Sequence, residues 1–273
     1  FFYHISKKLN FNNFDESTLS LDIQASSNDT YLKTYKLKSP LINNTNLLSS
    51  SFGVSAYRDD LSFDLDFKAY EDLSKKGADR FEFLFPTYNV LKQLKNNYDL
   101  DGNFSLGSNG SIKNYDTNVY ETVVINDLIF NSNYKITNNG FKNNYNFLIK
   151  NVNTDGKNSK EYKDTEDYKL ATIAEYNSSY PLKNETLKYN NTFKPMFSLK
   201  FSPNNSKAMR NKNRRINSSN VFSINRIASN DSVEGGASLT YGAEFTKTNK
   251  SYKEIFGAKI ANILRPELDS NLP

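Results

Sequence analysis

Residues 61–70 read LSFDLDFKAY, setting Leu61, Phe63, Leu65, Phe67 and Ala69 on one side of an extended chain and Ser62, Asp64, Asp66 and Lys68 on the other. The same period of two recurs at 18–26, 80–88, 196–202 and 238–246, and more weakly at 1–11, 47–57, 98–106, 117–137, 141–153, 170–180 and 252–264. It predicts about a dozen strands. Turn formers lie between them: YRDD at 57–60, SKKGAD at 74–79, GSNGS at 107–111, TNNG at 137–140, NTDG at 153–156 and SPNNS at 202–206. The strands therefore read as a meander of antiparallel hairpins. The stretch YNVLKQLKNNY at 88–98 reads two ways: Leu91, Leu94 and Tyr98 share a helical face, whereas Pro86 just before it suits an edge or bulged strand. Two polar insertions, 153–169 and 203–220, are expected to be solvated loops. No repeat of about 20 to 50 residues is present, which argues against a propeller or solenoid.

Alternation alone suits a soluble sandwich and a membrane barrel equally, because each has one apolar and one polar face. Strand length and charge placement separate them. A spanning strand needs about 9 to 11 residues, and 61–70 supplies that length with its charges confined to even positions. A slip of one residue would turn Asp64, Asp66 and Lys68 outward. In lipid a Lys at the midplane costs about 2 to 4 kcal/mol and an Asp less, so the register would be firmly held. The pattern points to an all-β fold, an antiparallel transmembrane β-barrel with hydrocarbon against the Leu and Phe side and water in the lumen. On parity, Asp64, Asp66 and Lys68 are candidate lumen-facing residues. A soluble β-sandwich binding module is the rival reading.

Composition supports strands. The chain of 273 residues is 37% hydrophobic, low for a globular core, yet 14% aromatic, with 18 Tyr, 20 Phe and no Trp. Tyr and Phe are available for interfacial girdles. No run of about 18 apolar residues exists, which excludes a spanning helix but not a barrel. The net charge of +5 is too mild to choose between nucleic acid, anionic lipid and acidic sugar. Without Cys there is no disulfide and no thiolate metal site. The start, FFYHISKKLN, lacks an initiator Met and a signal-peptide pattern, and the end, RPELDSNLP, stops in turn-like residues, so the chain reads as a fragment.

Catalytic chemistry has no visible carrier. His4 is the only histidine, so no His-centred triad or multi-His metal site can be built, and G-x-S-x-G, H-E-x-x-H and P-loop patterns are absent. DLDGN at 99–103 lacks calcium-loop spacing and its closing Glu, and reads as a turn. The chain is expected to be no enzyme and to need no cofactor or metal. Lys207, Arg210, Lys212, Arg214 and Arg215 form a basic cluster without an intervening acid. It reads as a solvated loop or as a contact for anionic-lipid phosphate. Without a stacking aromatic inside it, nucleic acid is not the expected partner.

The segment NVFSINRIASNDSVEGGASLTYGAEF at 220–245 carries a resemblance. Asn220, Phe222, Ser223, Asn225, Arg226, Asp231, Glu234, Gly235, Gly236, Tyr241 and Gly242 fit a pattern of the LptD family, the lipopolysaccharide-assembly proteins also called organic solvent tolerance proteins. SSNDTYLKTY at 26–35, FEFLFPTYNV at 81–90, YPLK at 180–183 and KPMFSLKFSPN at 194–204 resemble further family segments in the same order. Ala228 and Ser229 depart from the usual Ser-Gly, Ser232 replaces an Arg, and the basic run 207–215 occupies a loop that is typically acidic. Gly235 and Gly236 suit a tight connection with positive φ, or a simple strand-entry turn.

The resemblance implies a translocon in the outer membrane of a Gram-negative bacterium that inserts lipopolysaccharide into the outer leaflet. It implies periplasmic lipopolysaccharide-bridge proteins, an LptE-type lipoprotein plug and outer-membrane lipid as partners. Residues 1–273 would be a single mid-barrel segment, with the N-terminal jelly roll and flanking barrel strands not present. The candidate family positions are Asn225, Arg226, Asp231, Glu234, Gly235 and Gly236. Another outer-membrane barrel, a porin or plugged receptor, is the nearest alternative.

Overall fold

The computed structural model describes residues 1–36, 44–96, 100–208, 216–227, 229–267 and 269–272. In chain order the strands are β1 (Phe2–Leu9), β2 (Glu16–Gln24), β3 (Leu47–Arg58), β4 (Leu61–Asp72), β5 (Phe81–Leu94), β6 (Gly102–Tyr115) and β7 (Val119–Ser132). They continue as β8 (Lys135–Ile136), β9 (Lys142–Lys157), β10 (Asp167–Ser179), β11 (Leu182–Glu185), β12 (Tyr189–Ser202), β13 (Gly236–Asn249) and β14 (Glu254–Leu264). A short helix, α1 (Tyr31–Tyr35), interrupts the β2–β3 connection. All fourteen strands belong to one sheet in the order β1-β2-β3-β4-β5-β6-β7-β9-β10-β12-β13-β14, with β8 paired to β9 and β11 to β12. A sandwich needs two sheets face to face. This chain has one.

Local turn signals lose to pairing at two places. GSNGS lies inside β6 and NTDG inside β9. At Gly110 an added Cβ would sit 2.5 Å from the Tyr88 ring, so that glycine makes room for an aromatic from the next strand rather than a turn. The β9 ladder runs on to Lys157, and the reversal falls at Asn158, where φ is 58°. The loop expected at 153–169 is thus confined to 158–166. In the stretch 88–98 the strand reading holds as far as Leu94, and Tyr98 lies outside the described residues: β5 pairs with β4 from Glu71↔Phe81 to Leu61↔Lys92 and absorbs a bulge opposite Asp66 and Lys68. Helical spacing of Leu91 and Leu94 does not outweigh a continuous ladder. Helix α1 had no sequence forecast. It is pinned by one apolar residue, Leu32, packed on Leu48, Leu73 and Phe2.

The chain forms two compact units: Phe1–Leu94, Ser105–Asn126 and Asn151–Lys169 in the first, and Lys95–Phe104, Asp127–Lys150 and Leu170–Pro273 in the second. In the first, the Phe67 ring lies 6.2 Å from Phe52 and 6.1 Å from Phe85, forming an aromatic row along one side of the sheet. On the alternate positions of β4, Lys68 pairs with Asp66 at 3.4 Å. Tyr88, Ser108, Asn126 and Asn151 form a hydrogen-bonded ladder, with Ser108 donating to Asn126 at 2.7 Å and Asn126 to Asn151 at 3.1 Å. In the second unit, Phe147 and Ile149 are exposed while the alternating Leu148 and Lys150 are buried. On β12, Phe197, Leu199 and Phe201 are exposed while Ser198, Lys200 and Ser202 are buried.

That exchange of burial is the reverse of a water-soluble sheet. Hydrophobic residues belong inside in water, and Lys is almost never fully buried unless paired. Facing hydrocarbon, the same strands are in order. Connection lengths are also uneven. In the first unit the strand ends at Gln24 and Asp72, which lead into long connections, and the three-residue turn 116–118 share one end, and the turns 10–15 and 59–60 the other. In the second, turns 186–188 and 250–253 lie at one end and the β12 terminus at Ser202 and the β13 start at Gly236 at the other.

The faces make unequal predictions. Leu65→Lys puts a charge on the Phe and Leu side and is expected to cost about 2 to 4 kcal/mol near the midplane. Asp64→Lys, on the other side, is expected to cost under about 1 kcal/mol. Denaturant unfolding in liposomes measures both, and equal costs would refute the face assignment.

Candidate functional site

One segment of the second unit, 216–235, folds back over the polar side of the strands. Its apolar anchors are Val221, Ile227 and Val233, all buried, and Val233 packs with Leu148 and Ile173 beside Ile224. Those contacts bury the backbone of an irregular segment, so its polar groups need partners within the protein. Val233 precedes Glu234, and Glu234 meets Arg226.

Arg226 is fully buried and fully engaged. Its Nε donates to Glu234 Oε2 at 2.6 Å, its Nη1 to Thr240 Oγ1 at 2.6 Å and its Nη2 to Ser238 Oγ at 2.7 Å, with a further bond from Nη2 to Glu234 Oε1. The planar fork suits this bidentate pairing, and a Lys could not reproduce it. Arg265, just after β14, adds a bond to Glu234 Oε1 at 2.7 Å. Arg226 thus ties the segment to β13, and the Glu234 carboxylate ties it to the end of β14. Burial pushes Glu234 up, but hydrogen bonds from Arg226 and the charges of Arg226, Lys200 and Arg265 outweigh it and hold the carboxyl below its ordinary value.

A second layer lies beneath. Lys200 donates to the Ser223 carbonyl at 2.6 Å and stands 3.8 Å from Glu175. Glu175 accepts from Asn146 at 2.8 Å and Asn177 at 3.0 Å. Lys150 is closed by both oxygens of Asp127, at 2.6 and 2.7 Å. These are even positions of β9 and β12 and odd positions of β10 and β7, the sides opposite the exposed Phe and Leu.

The structure brings the candidate family positions together. Asn225 donates to the carbonyls of Ser229 at 3.2 Å and Ser232 at 2.8 Å, folding the segment into a closed turn. Asp231 pairs with Lys207 and accepts from Ser229 at 2.5 Å; burial raises its pKa, but those two hydrogen bonds win and lower it. Of the two glycines, Gly236 has the positive φ, 78°. Gly235 is needed for a different reason: an added Cβ would sit 1.9 Å from the Asn204 carbonyl oxygen. Lys207 is therefore engaged within the segment, and Arg210, Lys212, Arg214 and Arg215 lie outside the described residues. Asp64, Asp66 and Lys68 belong to the first unit, where Gly53 leaves room for the Asp66 carboxylate: a Cβ there would meet Asp66 Oδ1 at 2.5 Å.

A motif whose residues bond to each other is a folding unit, and it identifies its lineage. The family model described as LptD, LPS transport system D, matches residues 1–272. The chain belongs to the LptD family. LptD proteins are outer-membrane β-barrels of lipopolysaccharide transport, and the single antiparallel sheet with its apolar side outward agrees. No curated protein matches the chain. Sequence reasoning on the LptD pattern found Arg226 and Glu234 but missed Lys200, Glu175, Lys150 and Arg265. Charged residues at alternate positions of strands were the signal that could have found the first three.

Removing one member of a buried ion pair strands the other and costs about 3 to 5 kcal/mol. Glu234→Gln is expected to expose 216–235 to limited proteolysis while the strands stay protected. Acid is expected to act likewise: because the folded pKa of Glu234 is depressed below 4.5, its contribution is complete above that pH and fades as pH falls through the folded value. Asp231 acts in the same direction below 3.8. A cleavage pattern unchanged from pH 7 to pH 3 would contradict the assignment.

Proposed function

We propose that this chain is part of an outer-membrane translocon that inserts lipopolysaccharide into the outer leaflet. The observation that supports it best is the exchange of burial in an LptD-family chain: ionic side chains inside, Phe and Leu outside. A wall of this kind separates hydrocarbon from a wet lumen, which a lipid carrying a large saccharide requires. In this reading Asp64, Asp66 and Lys68 face the lumen. An LptE-type lipoprotein occupies it, and periplasmic bridge proteins deliver the lipid. Residues 1–273 are one segment of the barrel, in a Gram-negative outer membrane.

Outer-membrane barrels have short periplasmic turns and longer extracellular loops. The short turns at 10–15, 59–60, 186–188 and 250–253 are accordingly assigned to the periplasm, and the strand ends at Gln24, Asp72 and Ser202 to the exterior side. On the lumenal side of the second unit, a cavity of about 430 Å³ is lined by Asn144, Asn146, Glu175, Asn177, Lys194 and Phe222. Side-chain amides present donors and acceptors together. Fixed beside an aromatic ring, they suit the hydroxyls of a passing sugar.

Site-specific photo-crosslinking in the full-length protein in cells tests the reading. Adducts with lipopolysaccharide are expected from probes at Lys68 and Asn146 and not from Phe147. Adducts from Phe147 alone would overturn it.

A further inference from the structure

The outward side of the second unit carries a notch. Along β12 and β13 the outward rungs are Phe193↔Phe245, Pro195↔Ala243, Phe197↔Tyr241 and Leu199↔Leu239. The Pro195 and Ala243 rung is small, and aromatic side chains stand above and below it. Ala243 continues to Ile260 on β14, which is 75% exposed and walls one side. Tyr180 walls the other, its N–H donating to the Pro195 carbonyl at 3.0 Å and its ring 4.9 Å from Phe141. The result is an apolar groove of about 810 Å³, within the range of about 300 to 1,000 Å³ typical of ligand clefts.

The surroundings decide what fills it. Walls without contact atoms forfeit dispersion energy, so in hydrocarbon the groove takes a chain. Water needs two to four polar partners, and the notch is walled by Pro195, Ala243, Ile260 and the rings of Tyr180 and Phe197. The small rung lies on the half of the Phe193 to Phe201 row nearer the turns 186–188 and 250–253. In the orientation proposed above, that half is in the periplasmic leaflet, which is built of glycerophospholipid.

We propose that this groove retains a glycerophospholipid of the periplasmic leaflet, with one acyl chain lying on the Pro195 and Ala243 rung between Tyr180 and Ile260. The proposal rests on the barrel orientation for its leaflet and not on the transport step. Aromatic rings on strands have few rotamers to lose, so they hold a chain that the rest of the outward face lets exchange.

The full-length protein is purified in mild detergent, washed, and its bound lipid counted by native mass spectrometry, with phosphatidylethanolamine and lipopolysaccharide each offered for rebinding. Ala243→Phe fills the notch and Ile260→Ala removes a wall; both exchange apolar for apolar, and heat-modifiable migration verifies folding. The wild type is expected to keep phosphatidylethanolamine, Ala243→Phe at least fivefold less, and Ile260→Ala an intermediate amount. Equal retention by the wild type and the folded variants would overturn the site. Retention of lipopolysaccharide in place of phospholipid would overturn the choice of lipid and leaflet. Loss of crosslinking at Asn146 with phospholipid retention intact would overturn the transport reading alone.

Discussion

Hydrocarbon offers no hydrogen bonds, so a backbone crossing it must satisfy every N–H and C=O from a neighbouring strand. That constraint shapes the whole chain. It requires one continuous antiparallel sheet, which is what the strand order provides. The same economy is seen in the Tyr88, Ser108, Asn126 and Asn151 side chains, each of which finds its partner on a neighbouring strand. On β9, β10 and β12 the exposed Phe and Leu take one side, and the buried charges take the other. There Lys150, Glu175 and Lys200 find counter-charges rather than bulk water.

The period-two pattern made the strands and their two faces legible, because one slip exchanges every side chain and therefore leaves a strong signature. Strand ends were harder. GSNGS and NTDG carry turn residues that β6 and β9 run straight through, since a ladder continuing on a neighbour outweighs the local preference of a Gly or Asn. Helix α1 was invisible because a single buried Leu32 leaves no period. At the site, Arg226 and Glu234 could be named from a family pattern, but their bond could not: they are eight residues apart in an irregular segment, where spacing encodes no geometry.

The ionic cluster has a task that an apolar one would perform less well. Replacing a buried ion pair by hydrophobic residues is often neutral or stabilising, so its presence is weak evidence for stability alone. Arg226, however, must satisfy Glu234, Ser238 and Thr240 at once, and that set of bonds exists in one placement of the segment. An apolar segment would slide over an apolar wall. The Arg fork and the close approach of Gly235 to Asn204 allow a single seat.

Strand β12 joins both sides of the argument. Its even residues Ser198, Lys200 and Ser202 lie under the 216–235 segment, and its odd residues Pro195 and Phe197 shape the outward groove. A shift of β12 by one residue against β13 would set Lys200 in hydrocarbon, take its ammonium from the Ser223 carbonyl and fill the notch with a larger side chain. Each change is unfavourable, and all three arise from the same displacement. The register that keeps a lysine out of lipid is therefore the one that seats the inner segment and leaves the outer groove open.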